Sequence, residues 1–296
     1  MFDLNGPALE VAIGLAFAFF LLSIVASAIT EGISWATNQR AKTLEKGLKG
    51  MFGDDDVAAD VLAHPLAKTD MSSAVPDRKP AYLSSRNFGL ALVDTLKERG
   101  GGNSEDSLAK LSAGVNAVRD EASPLGKQLD ALVDEAGDGD LADFRKASER
   151  WFDDGMDRVS GLYKRWAQKV AIVAALIVAI ALNASAVRIA ERLAADPTVR
   201  SAVVTGAEGA VTRSKTSPKA TGEAAQNAVK ELETLKVPIL WGAANNPLES
   251  VNAFLAALAG WLITAIAISL GAPFWFDALG KLAHLKTSGR KPATSG

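Results

Sequence analysis

Lys169-VAIVAALIVAIALNASAV-Arg188 decides the fold. The 18 residues Val170–Val187 carry no formal charge, and the first thirteen, Val170–Leu182, are all Val, Ile, Leu or Ala. A helix of that length rises about 27 Å, close to the hydrocarbon thickness of a bilayer. The stretch is apolar on every side, which suits a membrane span rather than a half-buried helix. Ala171, Ala175, Ala179 and Asn183 recur every four residues and form a smooth stripe ending in an amide. Small residues on one face let a second helix approach closely in lipid.

Two further stretches share this character. Val11–Thr30 is 20 uncharged residues. Ala26-Ser27-Ala28 within it resembles a signal cleavage site, but the basic segment that should precede it is missing and the apolar run is long. The third stretch lies between Glu249 and Asp277 with its apolar core at Phe254–Leu270, and Ala256, Gly260 and Thr264 form another stripe in steps of four. Gly271-Ala272-Pro273 ends or kinks it. Beyond it Trp275, Leu279, Leu282 and Leu285 share a face, the pattern of a helix lying in the membrane interface.

Between the first and second spans the chain is polar and helical in pattern. Asp54-Asp55-Asp56 resembles a helix cap, and His64-Pro65 closes that helix. A Pro-marked connection through Pro76 and Pro80 follows, then a helix capped by Ser84 or Ser85, with Phe88, Ala91, Leu92, Thr95 and Leu96 on one face. Gly100-Gly101-Gly102-Asn103-Ser104 is a break without the lysine of a phosphate loop. Helices over about 105–121 and from Ser123-Pro124 to Gly137-Asp138-Gly139 follow. Asp140 opens a long helix aimed at the membrane, with Phe144, Ser148, Trp151, Gly155, Val159, Leu162 and Trp166 in steps of three and four. Trp151, Tyr163 and Trp166 alternate with basic residues, which places them, with Trp35, Trp241, Trp275 and Leu279, at the membrane interface. Asp153, Asp154 and Asp157 read as a solvated acidic face, with cation binding the less favoured use. Residues 198–236 are weakly hydrophobic, broken at Ser217-Pro218, with a helix over 221–235.

These elements predict an all-α integral membrane protein with three transmembrane helices and a helical cytoplasmic lobe. The expected order is an external N-terminus (1–10), spans at 11–30, 170–187 and 250–272, a cytoplasmic region (31–169), an external loop region (188–249) and a cytoplasmic interfacial helix and tail (273–296). Orientation rests on Lys and Arg. Segments 32–49, 150–169 and the C-terminal tail carry four, five and four, against none, three and one in 1–10, 188–205 and 232–250.

Composition narrows the function classes. The 296 residues are 48% hydrophobic with net charge −2, and no long basic face marks a nucleic-acid binder. With no Cys, thiol catalysis and thiolate metal sites are excluded, and two histidines make a His-based metal site a poor expectation. No nucleophile elbow, zinc helix or supported carboxylate pair occurs, so no catalytic residue, cofactor or metal ligand is assigned and the chain is read as non-enzymatic. The expected role is a scaffold or docking protein whose lobe meets an unidentified cytoplasmic protein, with the bilayer and a second copy of the chain as further partners. The competing expectation is a homo-oligomeric channel with Asn183 facing the axis of a ring.

Ile33–Lys46 with Arg40-Ala41-Lys42, His64-Pro65-Leu66, Trp151-Phe152-Asp153-Asp154-Gly155-Met156-Asp157-Arg158 and Gly271-Ala272-Pro273-Phe274-Trp275-Phe276-Asp277 resemble an uncharacterised family of bacterial multi-spanning membrane proteins. The resemblance implies a bacterial envelope protein and a shared architecture, and carries no activity; the expected location is the inner (cytoplasmic) membrane.

Overall fold

The computed structural model describes residues 6–69, 80–101, 106–119, 124–136, 141–213, 219–242, 246–247 and 249–288. Residues 1–5, Pro76, Gly102-Asn103-Ser104, Ser123, Gly137–Asp140, Ser217-Pro218 and the tail from 289 lie outside them, as do the expectations placed there. Every element among the described residues is a helix. Two helices are long and apolar enough to cross a membrane, and a bent pair makes a third candidate.

The chain divides into two compact units, Ser34–Trp166 and Met1–Ile33 with Ala167–Gly296. The first unit holds most of α2 to α8: α2 (Gln39–Phe52), α3 (Asp55–Ala63), α4 (Pro65–Thr69), α5 (Ser85–Gly100), α6 (Ser107–Val118), α7 (Pro124–Ala136) and the greater part of α8 (Leu141–Ala181). Local chemistry sets these ends. Asp54 caps α3 by accepting from the amides of Asp56 and Val57 at 2.9 and 3.0 Å. Ser84 caps α5 through the amide of Asn87, and Asp106 caps α6 through that of Leu108. Pro65, which cannot continue α3, opens α4 instead. The apolar faces of these helices meet in one core that includes Leu48, Phe52, Phe88, Leu92, Leu129 and Phe152.

Trp151 belongs to that core. Its ring lies 5.5 Å from Phe52 and 6.0 Å from Phe88, while Phe88 stacks on Phe152 at 4.3 Å. The sequence placed Trp151 at a membrane interface; in the structure its position on the inward face of α8 packs it against this aromatic core.

The second unit is built on α1 (Pro7–Ala36), with the end of α8, α9 (Ala186–Ala195), α10 (Pro197–Arg213), α11 (Gly222–Thr234), α12 (Val251–Ser269) and α13 (Ala272–Ser288). Ile13, Phe17, Ala18, Phe20, Leu22 and Ile24 are all buried, so α1 is enclosed on nearly every side along its first two thirds. The amphipathic helices supply the wall. Leu193 of α9 and Val203 of α10 reach Gly14, and Ala228 and Leu232 of α11 join the same core. Residues 198–236, read as weakly hydrophobic, thus form two helices whose apolar faces are used on α1.

The C-terminal part differs from the expectation. Ser23 donates to the carbonyl of Ile268 at 3.2 Å, near the end of α12. Gly271, at φ +89°, then turns the chain in the left-handed region open to glycine. Trp275 lies 4.9 Å from Phe19, Phe276 5.7 Å from Phe20, and Lys286 pairs with Glu10 at 3.5 Å. Helix α13 therefore runs back along α1 toward its first turn, and α12 and α13 form a hairpin. Leu279 is 1% exposed and packs inward. The sequence placed Trp275 and Leu279 on a face turned to the membrane interface; in the structure Trp275, Leu279 and Leu282 join the core around α1 while Leu285 is exposed, and α13 ends beside the first turn of α1.

Candidate functional site

Helix α8 stops at Ala181, inside the stretch read as a straight span to Val187, and α9 departs at 52°. Asn183 makes the break. It takes a left-handed conformation at φ 48°, which asparagine tolerates better than most residues, and Ser185 then caps α9 through the amide of Arg188. A helix end leaves carbonyls without partners, which is costly away from water. Here they are supplied. The Trp241 indole N–H donates to the carbonyls of Ile180 and Ala181 at 3.2 and 3.1 Å, and the Leu240 amide donates to that of Leu182.

Asn183 itself is completely buried. Its side-chain carbonyl accepts from Arg188 at 2.6 Å and from the Trp261 indole at 3.2 Å, and its backbone carbonyl accepts again from Arg188 at 3.2 Å. Thr264 accepts from the Ala186 amide and donates to the Gly260 carbonyl, both at 2.8 Å. A Cβ at Gly260 would fall on the Ser185 side chain, so glycine is what lets α12 approach the break. The site is a polar knot that joins the end of α8, the start of α9 and the middle of α12 in apolar surroundings.

The predicted stripes map onto it unevenly. Ala175, Ala179 and Asn183 are buried, Ala171 is half-buried, and Ile177 on the opposite face is 53% exposed. On α12, Gly260 and Thr264 are buried but Ala256 is exposed, with Ala257 taking the inward place. Steps of four advance about 400°, so a stripe of fours drifts about 40° per step. The buried line Ala257, Gly260, Trp261, Thr264, Ala265, Ile268 alternates threes and fours and stays centred.

The aromatic candidates separate as well. Trp35 is exposed. The Tyr163 hydroxyl accepts from Arg40 Nε at 3.1 Å and pairs with Ser34 at 3.1 Å, and its ring lies 5.9 Å from Trp166. Trp241 is half exposed and lies 5.9 Å from Trp261. Trp275 donates to the Ala267 carbonyl at 2.7 Å, so its indole closes the α12–α13 turn. Asp153, Asp154 and Asp157 are exposed, and no group of three acidic or histidine side chains able to hold a metal occurs among the described residues.

Sequence reading missed Trp261 and Arg188 as partners of Asn183. The signal was present: a tryptophan inside an apolar run needs an acceptor for its N–H, and Asn183 is the amide in the neighbouring run. Elsewhere, Asp196 caps α10, and the amide of Val199, then that of Thr198, hold its carboxyl below the usual range. A hydrogen bond to Asp55 raises the Lys49 ammonium. No protein-family model matches the chain, nor does any curated protein or solved structure.

Proposed function

We propose that the chain is a non-enzymatic scaffold of the bacterial inner membrane, with the Ser34–Trp166 unit as its cytoplasmic docking lobe. The observation that carries this reading is the separate core of that unit, from Leu44 to Phe152, which lets it hold its shape as a module. The outward faces of α8 and α12 support membrane residence. Ile172, Val173 and Ile177 on α8 and Leu255, Leu262, Ile263 and Ile266 on α12 are exposed large apolar residues, far more than a water-facing surface tolerates. In this proposal α1 and the α8–α9 pair cross the bilayer. Helix α12 enters from the side of Glu10, and α13 returns to it.

The basic segments 32–49 and 150–169 favour a cytoplasmic lobe. The return of α13 moves Lys281 and Lys286 to the other side of the count, so the lobe flanks alone carry that argument. The scaffold is favoured over the channel because the Asn183 amide oxygen is already bonded within its own chain, to Arg188 and Trp261.

The test is alkaline extraction of membranes, followed by cross-linking from single cysteines on the lobe in this Cys-free chain. The protein should stay with the lipid, and one cytoplasmic protein should be captured reproducibly and lost when charges on the lobe surface are reversed. Release of the chain by alkali would overturn membrane residence, and steady ion conductance of the purified protein in liposomes would overturn the scaffold.

A further inference from the structure

We infer that the lobe carries a binding site for an anionic amphiphile, a single acyl chain with a carboxylate or phosphate head. Between α2, α8 and the segment leading into α5 lies a cavity of about 370 Å³, within the range of small-molecule sites. Leu44, Leu83, Phe152 and Val159 form apolar parts of its wall.

The charges are distributed along the cavity. Arg40 and Lys164 both line it, and Arg40 is bonded to Tyr163, the residue before Lys164. Asp153 also lines it, but eleven residues before Lys164 on α8, about 16 Å along the helix. An occupant with one anionic end is thereby oriented, its head at Arg40 and Lys164 and its chain toward Phe152. Tyr163 prepares the head site. Its hydroxyl takes Arg40 Nε at 3.1 Å, and its ring lies 5.8 Å from the guanidinium carbon. That contact fixes the plane of the guanidinium, whose fork matches carboxylate and phosphate oxygens.

Lys164 precedes Val170 by six residues, about 9 Å of helix. Basic residues at that distance from a span suit anionic headgroups. The same chemistry has two sources, one acyl chain and the phosphate of a bilayer phospholipid such as phosphatidylglycerol, whose second chain stays outside the cavity, and a free fatty acid.

The experiment uses the full-length protein. Oleate is titrated in detergent micelles with a fluorescent fatty-acid probe, and phosphatidylglycerol is compared with phosphatidylcholine by native mass spectrometry from nanodiscs. Arg40→Gln with Lys164→Gln should weaken oleate binding at least tenfold. Ser160→Trp, at an exposed lining position, should block the cavity and abolish binding while the circular dichroism and melting curve stay unchanged. Retention of phosphatidylglycerol over phosphatidylcholine, lost in the same variants, assigns the bilayer as the source; oleate binding without that retention assigns the free acid. The site is overturned if neither amphiphile binds, or if both variants bind as the wild type does. The micelle arm stands apart from membrane residence, so failure of the site and failure of the scaffold reading are distinguishable.

Discussion

Helices α1 and α12 are both apolar enough to cross a membrane, yet they live in different surroundings. In α1, 67% of the apolar window is buried within the protein, and in α12, 33%. Phe17, Leu22 and Ile13 meet other helices on all sides, whereas Leu255, Leu262, Ile263 and Ile266 face outward. An apolar run states that water is excluded and leaves open what excludes it. For α1 the answer is protein, and for α12 it is protein on one face only. The amphipathic helices α9, α10 and α11 make the difference, because their apolar faces are used on α1.

The sharpest way to break this contrast is to overfill the face of α12 that touches protein. Gly260→Leu places a branched side chain on Ser185 and should cost about 3 kcal/mol or more, since overpacking a tight contact is strained on both sides. Ile263→Leu, on the exposed face, should change stability by less than about 0.5 kcal/mol. Melting in detergent compares them, and equal losses would show that both faces are packed. On α8 the matching pair is Ala175→Leu and Ile177→Leu. The first should destabilise by about 1–3 kcal/mol and the second be tolerated. Equal tolerance of the two would remove the close-packed stripe.

Trp261→Phe sharpens the comparison at the knot. It keeps the ring and removes the indole donor to Asn183, which Arg188 still serves, so a loss of about 1 kcal/mol is expected. A loss as large as that of Gly260→Leu would place the knot's strength in that one bond.

The smallest effect concerns the wall around α1. The Asp196 carboxyl has a folded-state pKa below the ordinary value of 3.8, so its stabilising contribution is present above that value and fades as pH falls through the lower, folded one. The protection of amides at the start of α10, taken against their intrinsic exchange rate at each pH, should therefore fall below about pH 4 in the wild type, the window set by the ordinary Asp pKa. Asp196→Ala should show the lower protection at neutral pH and no such step. An identical pH profile in both would detach the cap from that carboxyl.

Much of the helix pattern was legible. The all-α class, the caps at Asp54 and Ser84, the apolar face of α5 and the small-residue face of α8 follow from residue type and spacing. What was not legible is partner choice. Periodicity assigns Trp275 and Leu279 to one face, but only the third dimension says that α1 rather than lipid meets it. Trp151 sits beside basic residues in the sequence, yet its ring packs against Phe52 and Phe88. The break at Asn183 was hidden for a related reason, because an asparagine at the end of an apolar run can continue a helix or end it. The choice is made by Trp241, Trp261 and Arg188, each distant in sequence or beyond the turn.

The central claim is that α13 comes back along α1, so that the last turns of α13 lie beside the first turn of α1. Single cysteines at Ala8, at Arg86 and appended after Gly296 test it with an impermeant thiol reagent on sealed vesicles of either orientation. The account predicts that Ala8→Cys and the C-terminal cysteine label together, in the preparation where Arg86→Cys is protected. Labelling of the C-terminal cysteine with Arg86→Cys and apart from Ala8→Cys would contradict it.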